Sequence, residues 1–374
     1  MSQNTFQVLE HVIPCQYVRE YPNAIKYKNA QLRLAIKEYK PLGIAKFSPN
    51  AVTIIAAHAN GFPKECYEPL FEDLLRSSRG RIRSIWIADA SHQGASGVLN
   101  EDIQGDERLA LIEPVIQPHP PRNPSATLPT SYRQDLWPSR AVAQAAFRKN
   151  KFFKIWDPRA LDQYVSYGLR ETPTALYPAP VFNGGENPQS PERPVTLTTT
   201  KHQEAWTYVH SNFISVLDPD KARKVAPNLS AEDAEYFIHN PNMIVTYNNL
   251  PHVRPNVFWM FGKTSQINYD ASMRDEKVAR TGTGVGGNGG TQRGRVEKKV
   301  FECGHMLPFE KIDECASALA SWLEKQIHDF EATEEFWKTF DSRRSERDRL
   351  AVSKTWLDIV KMDVLTKRAD KPKL

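Results

Sequence analysis

Short apolar segments alternate with turns and helices along the chain, and this alternation restricts its possible folds more than any other feature. The segment 52–57 (Val-Thr-Ile-Ile-Ala-Ala) is followed by a polar turn, a predicted helix over about 65–77 and a second apolar segment at 82–88. Further apolar segments lie at 109–112, 256–261 and 296–302. Strand–helix–strand alternation with apolar strands is typical of parallel sheets that are covered on both faces. The sequence therefore predicts an α/β fold with a doubly wound, mostly parallel sheet.

The chain divides by composition into four parts. Residues 1–116 hold the first strands, including 31–39, whose alternation of apolar and polar residues predicts a strand of an antiparallel edge. Residues 117–250 are rich in Pro, Trp and Tyr and are predicted to form a lid inserted into the sheet domain, with a helix over 139–149. The sheet domain resumes over 251–328 and includes a helix at about 309–327. Residues 329–374 are highly charged, which predicts a helical extension.

Composition argues against several functional classes. Hydrophobic residues make up 40% and charged residues 25% of the 374 residues, as in a globular protein. The net charge is only +5 and no basic stripe is interleaved with aromatic residues, so no nucleic-acid partner is expected. No apolar run reaches about 18 residues, which predicts no membrane span. The four cysteines form no C-x-x-C pair and the histidines have no ligand spacing, so no metal is predicted.

A glycine-rich segment could suggest a bound cofactor. Residues 282–287 match the letters of the dinucleotide fingerprint G-x-G-x-x-G. The fingerprint requires a strand before it and a helix after it, because the helix N-terminus binds the pyrophosphate. Here a charged helical stretch precedes the glycines and further glycines follow. We therefore predict a loop and no cofactor.

Several separate motifs point to one family. They lie at 58–65 (HANGFPKE), 87–96 (IADASHQGAS), 135–140 (DLWPSR), 197–203 (LTTTKHQ), 249–255 (NLPHVRP) and 279–287 (ARTGTGVGG). On these motifs the chain resembles the fungal α/β-hydrolases of toxin-biosynthesis clusters over most of residues 5–327. The resemblance implies serine-hydrolase chemistry on esters or thioesters of hydrophobic acids, and a peroxisomal location.

The nucleophile of that chemistry is missing from the sequence. The nucleophile elbow, Gly-x-Ser-x-Gly, occurs nowhere in the chain. In this fold the elbow strand and its helix would lie between the strand ending near Asp89 and the strand at 109–112, where only about twenty polar residues stand. Arg108 is followed directly by Leu109, so no turn residue precedes the predicted strand at 109–112. We infer by analogy with the fold that a strand and two helices are deleted here, so this form is expected to be impaired.

The other catalytic elements of the family can be matched to positions in this chain. His305 follows a predicted strand and a glycine, and the resemblance implies that it is the catalytic histidine, a general base for the missing serine. The turn Asn60–Phe62, with Gly61 at its centre, corresponds to the turn whose backbone N–H stabilises an oxyanion. Asp89 and His92 lie at a strand end, where they would either line the pocket or hold the loop in place.

The catalytic acid is poorly defined by the sequence. Its usual position, three residues after Gly262, is occupied by Ser265, which cannot serve as an acid. Glu113, directly after the predicted strand at 109–112, occupies the alternative acid position, and Asp270 is a weaker candidate. Ser96 and Cys66 could be considered as replacements for the serine nucleophile. Both are predicted to have a structural role instead.

The chain terminates in Pro372–Lys373–Leu374, which is similar to the Ser-Lys-Leu peroxisomal signal. A peroxisomal import receptor is therefore an expected partner, in addition to a small hydrophobic acyl or ester substrate. The rival hypothesis is a non-catalytic protein of the same ancestry that binds a hydrophobic ligand or a partner enzyme.

Overall fold

The computed structural model describes residues 5–15, 25–27, 29–44, 46–103, 116–118, 126–178, 193–208, 210–211, 220, 238–239, 241–268 and 270–361. The chain divides into two compact units, Met1–Ser321 and Trp322–Leu374. The predicted strand at 109–112, with Glu113, and the terminal tripeptide Pro372–Leu374 lie outside the described residues.

A four-stranded sheet forms the first part of the larger unit. Its strands are β1 (Phe6–Pro14), β2 (Arg33–Pro41), β3 (Val52–Ala57) and β4 (Ile82–Ala88), in the spatial order β1-β2-β4-β3. The β1–β2 and β2–β4 ladders are antiparallel, and the β3–β4 ladder is parallel. This part of the sheet therefore has an antiparallel edge, β1 and β2, beside the parallel pair β3 and β4. The alternating segment at 31–39 contributes β2 to that antiparallel edge, as predicted.

A second, two-stranded sheet lies further along the chain. Its strands, β10 (Val257–Gly262) and β11 (Val296–Phe301), pair in parallel. In the described ranges no ladder joins this pair to the four-stranded sheet. Within the same ranges β3 has a strand partner on one side only, and Ile55 at its centre is 87% exposed. An apolar, uncharged edge of this kind is unusual in a native sheet, where edges are normally covered or charged.

Helices cover one side of the four-stranded sheet. A 3-10 turn, Lys64–Tyr67, leads into α1 (Glu68–Ser77), close to the predicted helix over 65–77. Its apolar side chains Leu70, Phe71 and Leu74 are buried, and Phe71 packs against Tyr39 of β2 with ring centroids 5.5 Å apart. The short helix α2 (Gly94–Leu99) follows β4.

Residues 126–208 contain small helices and a three-stranded antiparallel sheet. The elements are α3 (Thr127–Tyr132), β5 (Leu136–Trp137), α4 (Arg140–Lys149), α5 (Pro158–Tyr167), β6 (Leu169–Glu171), β7 (Val195–Leu197) and α6 (Lys201–Tyr208). Helix α4 begins where its sequence predicts, because the Ser139 hydroxyl accepts the Val142 N–H as an N-cap. Short 3-10 turns lie at Phe153–Ile155, Leu250–His252 and Thr291–Arg293.

The remaining elements complete the described chain. They are β8 (His210–Ser211), β9 (Ile238–His239), α7 (Pro241–Asn249), α8 (Ala271–Arg280), α9 (Leu307–Glu310), α10 (Ile312–Ser342), α11 (Glu346–Leu350) and α12 (Lys354–Val360). The helix predicted at 309–327 is thus α9 followed by a much longer α10. In the described part of the chain, no helix has the length and hydropathy needed to cross a membrane.

Candidate functional site

The turn after β3 is tightly held by hydrogen bonds within the protein. Gly61 adopts a left-handed conformation with φ of +81°, and a side chain there would collide with the carboxylate of Glu204. The Gly61 N–H donates to Gln93 Oε1 at 2.8 Å, and the Phe62 N–H donates to the Ala59 carbonyl at 3.3 Å. The two N–H groups that could face an oxyanion are therefore already occupied.

Gln93 links this turn to the strand end after β4. Its Nε2 donates to Asn60 Oδ1 at 2.5 Å and lies 3.2 Å from Thr207 Oγ1. His92 Nε2 lies 2.7 Å from the same hydroxyl. Burial, with a smaller contribution from His58, lowers the pKa of His92 to about 3, so the imidazole is neutral at physiological pH. His92 therefore acts within a buried hydrogen-bond network, whose other members Gln93 and Thr207 were not predicted from the sequence.

A buried carboxylate that the sequence analysis missed lies beside the turn. The Glu204 main-chain carbonyl accepts a bond from Asn60 Nδ2 at 3.0 Å. Its carboxylate forms an ion pair with the Arg133 guanidinium and accepts a bond from Thr130 Oγ1 at 3.3 Å. Burial raises the pKa of Glu204 although Arg133 opposes that shift. The one sequence feature that could have indicated a role for Glu204 is its position directly after the motif at 197–203.

Asp89 holds the loop after β4 together. Its Oδ2 lies 2.5 Å from the Lys64 ammonium and accepts the Ala95 N–H at 2.9 Å. Its Oδ1 accepts the Lys64 N–H at 3.1 Å, and both charged side chains are buried. Of the two roles left open for Asp89, the contacts favour the one that fixes the loop.

His305 lies in the loop between β11 and α9, as the sequence predicted. Glu310 holds the backbone of this loop, because its carboxylate accepts the Gly304 N–H at 2.7 Å and the Met306 N–H at 3.1 Å. The loop passes so close to the end of β10 that a side chain at Gly262 would overlap the Gly304 carbonyl. His305 as a residue keeps much of its surface exposed, but its imidazole is partly covered by protein.

The residue facing His305 is a serine. Ser265 Oγ lies 3.3 Å from His305 Nδ1, in the place where a hydrolase would have its acid. Desolvation lowers the pKa of His305. Asp270, the weaker acid candidate, instead caps α8 by accepting the Ser272 N–H at 2.8 Å. A hydroxyl cannot stabilise an imidazolium as a carboxylate does.

Neither candidate replacement for the serine is available as a nucleophile. Ser96 is buried, its hydroxyl donates to the Asp89 carbonyl at 2.9 Å and it accepts the Ala35 N–H at 2.8 Å. Cys66 is fully buried, and burial raises the pKa of its thiol well above the usual range. Glu113 lies outside the described residues, so its role as acid stays a prediction.

Aromatic packing brings the turn and the histidine loop to the same part of the core. Phe62 packs against Phe309 of α9 with ring centroids 5.7 Å apart, and Phe309 is four residues beyond His305. Trp156 and Tyr164 pack against the same Phe62 ring at 5.2 Å and 5.8 Å. These rings fill the space beside the turn. In the described chain, no group of three or more His, Cys, Asp or Glu is placed to hold a metal ion.

Comparison with known proteins agrees with the motifs. No protein-family model matches the chain. The acyl-CoA thioesterase mpaH' of Penicillium brevicompactum is 30% identical over 441 aligned positions that cover the whole of both chains. The abhydrolase domain-containing protein AFT2-1 of Alternaria alternata is 26% identical, over 52% of this chain and 64% of its own length.

A solved structure agrees with the predicted fold. The peroxisomal α/β-hydrolase Lpx1 of Saccharomyces cerevisiae superposes with a TM-score of 0.55 and 12% identity, covering 93% of this chain and all of that one. The fold is thus that of the α/β-hydrolases, and the resemblance predicted from the motifs at 58–65 and 87–96 is confirmed. The chain belongs to the fungal α/β-hydrolase family that includes the mpaH acyl-CoA thioesterases and the Alternaria abhydrolases.

Proposed function

We propose that this protein is an acyl-thioesterase-like α/β-hydrolase of fungal secondary metabolism, whose serine-hydrolase chemistry acts on an ester or thioester of a hydrophobic acid, and that this form is impaired in that reaction. One observation carries the proposal. The chain aligns from end to end with a thioesterase and yet contains no Gly-x-Ser-x-Gly.

The length of the alignment supports a deletion. It spans 441 positions while the chain has 374 residues, so at least 67 positions of the alignment face gaps in this chain. A strand, its elbow and two helices require a segment of about that size. The exposed edge of β3 is where an additional central strand would pair.

The surroundings of His305 also support the proposal that hydrolysis is impaired in this form. In an intact serine hydrolase the histidine removes the serine proton, the alkoxide attacks the acyl carbon, and the proton then passes to the leaving group. Here His305 Nδ1 lies 3.3 Å from the Ser265 hydroxyl, and the Gly61 N–H is occupied by Gln93. Because the sequence contains no Gly-x-Ser-x-Gly and the Gly61 N–H of the turn is already bonded, we expect no acyl–enzyme intermediate to form.

A fluorophosphonate probe and a panel of acyl-CoA thioesters test this proposal. We expect no stoichiometric labelling, and hydrolysis that is no faster in the wild type than in the His305→Ala variant. Stoichiometric labelling, or turnover that His305→Ala abolishes, would show a working nucleophile and contradict the impairment. The acyl-CoA thioesterase mpaH' serves as the positive control for probe and substrate.

Ligand binding without turnover is the second candidate function, and a cavity favours it. A cavity of about 430 Å³ opens between the β1–β2 pair, the turn after β3 and α2. Apolar side chains such as Ile36, Val98 and Leu99 line it, and Lys37 and Glu65 also face it. Its volume falls within the range of small-molecule sites.

Thermal unfolding in the presence of acyl-CoA thioesters and free acids tests whether the protein binds such ligands. Ligand-dependent stabilisation that is unchanged in His305→Ala and lost in Val98→Trp would support binding in this cavity. Val142→Trp, which places the same bulk at a similarly exposed helical position on α4, is the matched control. No stabilisation by any thioester or acid would argue against the binding role.

The site of the deletion can be examined in the transcripts. Sequencing of full-length messages across the codons for Arg108 and Leu109 distinguishes two cases. A longer message that inserts Gly-x-Ser-x-Gly there would make this chain a shortened form of an active enzyme. If every message joins the two codons, the serine is absent from the protein, and this result favours the non-catalytic binding role.

We also propose that Pro372–Lys373–Leu374 directs the protein to peroxisomes, supported by its similarity to Ser-Lys-Leu. Microscopy of an N-terminal fluorescent fusion tests this. The full chain should localise with a peroxisomal marker, and removal of the three residues should leave the fusion in the cytosol. Unchanged localisation after their removal would refute the targeting role.

A further inference from the structure

A short basic segment with exposed apolar side chains lies at the end of α4 and in the connection to α5. It covers residues 148–156 (RKNKFFKIW), which we call the basic aromatic segment. Residues 136–156 contain no Asp or Glu, and four cationic side chains lie in the segment itself, at Arg148, Lys149, Lys151 and Lys154. The segment corrects the expectation that no basic stripe of this chain is interleaved with aromatic residues.

The cations of the segment are accessible to an external partner. All four are exposed. Arg148 pairs with the exposed Asp162 carboxylate at 3.5 Å, and an exposed pair of this kind contributes little. In the ranges that the structure describes, no ion pair joins Lys149, Lys151 or Lys154 to a carboxylate. The segment therefore presents a positive surface that protein carboxylates leave largely uncompensated.

Apolar side chains lie between these cations. Phe152 is 44% exposed and Ile155 is 55% exposed, whereas Phe153 and Trp156 are buried. The two buried rings pack against each other with centroids 5.1 Å apart, which anchors the backbone of the segment to the core. Phe152 and Ile155 are thereby held at the surface among the charged groups.

The segment adjoins the turn after β3. The Phe152 ring packs against the Phe62 ring with centroids 6.3 Å apart and an angle of 17° between the ring planes. A partner that binds the basic aromatic segment therefore lies close to the turn Asn60–Phe62.

We propose that the basic aromatic segment binds the surface of an anionic lipid membrane. Phe152 and Ile155 enter the boundary between headgroups and acyl chains, and the four cations lie at the level of the anionic headgroups. Interfacial segments combine these two features, because apolar burial and attraction to anionic lipids add. The proposal does not rest on hydrolysis, since it concerns residues outside the turn and the histidine loop.

The side chains favour a lipid surface over a nucleic acid. Single strands bind to aromatic rings whose faces are free to stack on successive bases. One face of the Phe152 ring lies on Phe62, and Ile155 has no ring. Both side chains can instead be buried in the acyl boundary of a bilayer, which requires no stacking geometry.

Co-sedimentation of the full chain with vesicles tests the proposal. The protein should bind phosphatidylcholine vesicles that contain phosphatidylserine, bind phosphatidylcholine alone much more weakly, and lose affinity as the salt concentration rises. The double variant Lys151→Gln with Lys154→Gln should lower the partition coefficient about 25-fold, since each cation near the surface contributes about fivefold. Lys46→Gln with Lys299→Gln removes the same charge at exposed lysines elsewhere and is the matched control.

A second pair of variants tests the apolar contribution. Ile155→Gln should weaken binding to the anionic vesicles about fivefold, because the exposed half of the side chain no longer gains from burial. Val285→Gln, at a side chain that is 94% exposed and lies outside the segment, should leave binding unchanged. Thermal unfolding checks that each variant remains folded.

The outcomes that would overturn the proposal are distinct from those of the hydrolysis assays. They are no binding to the anionic vesicles, equal binding to both kinds of vesicle, and anionic binding that is the same in the Lys151→Gln, Lys154→Gln variant as in its control. A chain that ignores vesicles but binds a single-stranded oligonucleotide through these two lysines would assign the segment to nucleic acid and would also overturn the proposal.

Discussion

The turn after β3 and the loop after β11 follow the ends of two strands that belong to parallel ladders, but they are held in different ways. In the turn, the N–H of Gly61 is bonded to Gln93, and Asn60 is bonded to both Gln93 and Glu204. In the loop, Glu310 binds the backbone, while the imidazole of His305 lies 3.3 Å from Ser265, its hydrogen-bond partner among the described residues. The turn is held by more buried hydrogen bonds than the histidine.

This difference indicates which parts of a hydrolase centre also support the fold. The turn stabilises the protein through buried hydrogen bonds and the packing of Phe62, so it can remain intact without a nucleophile. The imidazole of His305 lies 3.3 Å from the Ser265 hydroxyl, a weaker setting than the network at the turn. Four substitutions test this difference, because they should be costly on the side of the turn and nearly neutral on the side of the histidine.

The largest effect is expected from Asp89→Ala. The substitution removes the carboxylate closest to the buried Lys64 ammonium. It also removes the acceptor of the backbone N–H groups of Lys64 and Ala95. Removing one partner of a buried ion pair lowers the free energy of unfolding by about 3–5 kcal/mol. Urea unfolding measures this cost. Asp162→Ala, which breaks the exposed pair with Arg148, should cost less than about 1 kcal/mol and serves as the control.

Gln93→Ala should have the next largest effect. It leaves the buried Gly61 N–H without its acceptor, and an unsatisfied buried donor costs about 1–3 kcal/mol. Urea unfolding of Gln134→Ala, which alters an exposed amide bonded to the Leu136 carbonyl, gives the comparison. If the two variants lose the same stability, the turn is not held through Gln93.

The buried His92 should make stability depend on pH. Its folded pKa of about 3 lies below the unfolded value near 6.5, so the unfolded chain binds the proton first. The contribution of His92 is present above about pH 6.5 and is lost as pH falls towards 3. Between pH 7 and 5 the wild type should lose roughly 1–2 kcal/mol more than His92→Gln.

The exposed His328 provides the control for this measurement. His328→Gln should follow the pH dependence of the wild type in urea unfolding at pH 7, 6 and 5. Equal slopes for the wild type and His92→Gln would mean that His92 is not held neutral in the network with Thr207.

The smallest effect is expected from His305→Ala. The imidazole has one long contact, so the unfolding free energy should change by less than about 0.5 kcal/mol. A loss above about 2 kcal/mol, the scale of a buried group, would show that the histidine supports the fold and would remove the contrast with the turn.

Several elements could be predicted because they depend on local pattern. The apolar runs at 52–57 and 82–88 form β3 and β4, and the Ser139 cap begins α4 where it should. The antiparallel edge was predicted from the alternation at 31–39, but the strand β1 was not. Pairing between β1 and β2 depends on register across separate segments of the chain, which alternation in one segment does not specify.

The α/β class, the family motifs, the positions of Asn60–Phe62 and His305, and the absence of Gly-x-Ser-x-Gly can all be predicted or observed from the amino-acid sequence. The contact of Glu204 with a turn 144 residues earlier, and that of Ser265 with His305 across 40 residues, depend on tertiary packing. The two sets differ because the interactions behind them act over different ranges. Apolar periodicity acts over a few residues, whereas hydrogen-bond partners are chosen by how distant segments pack.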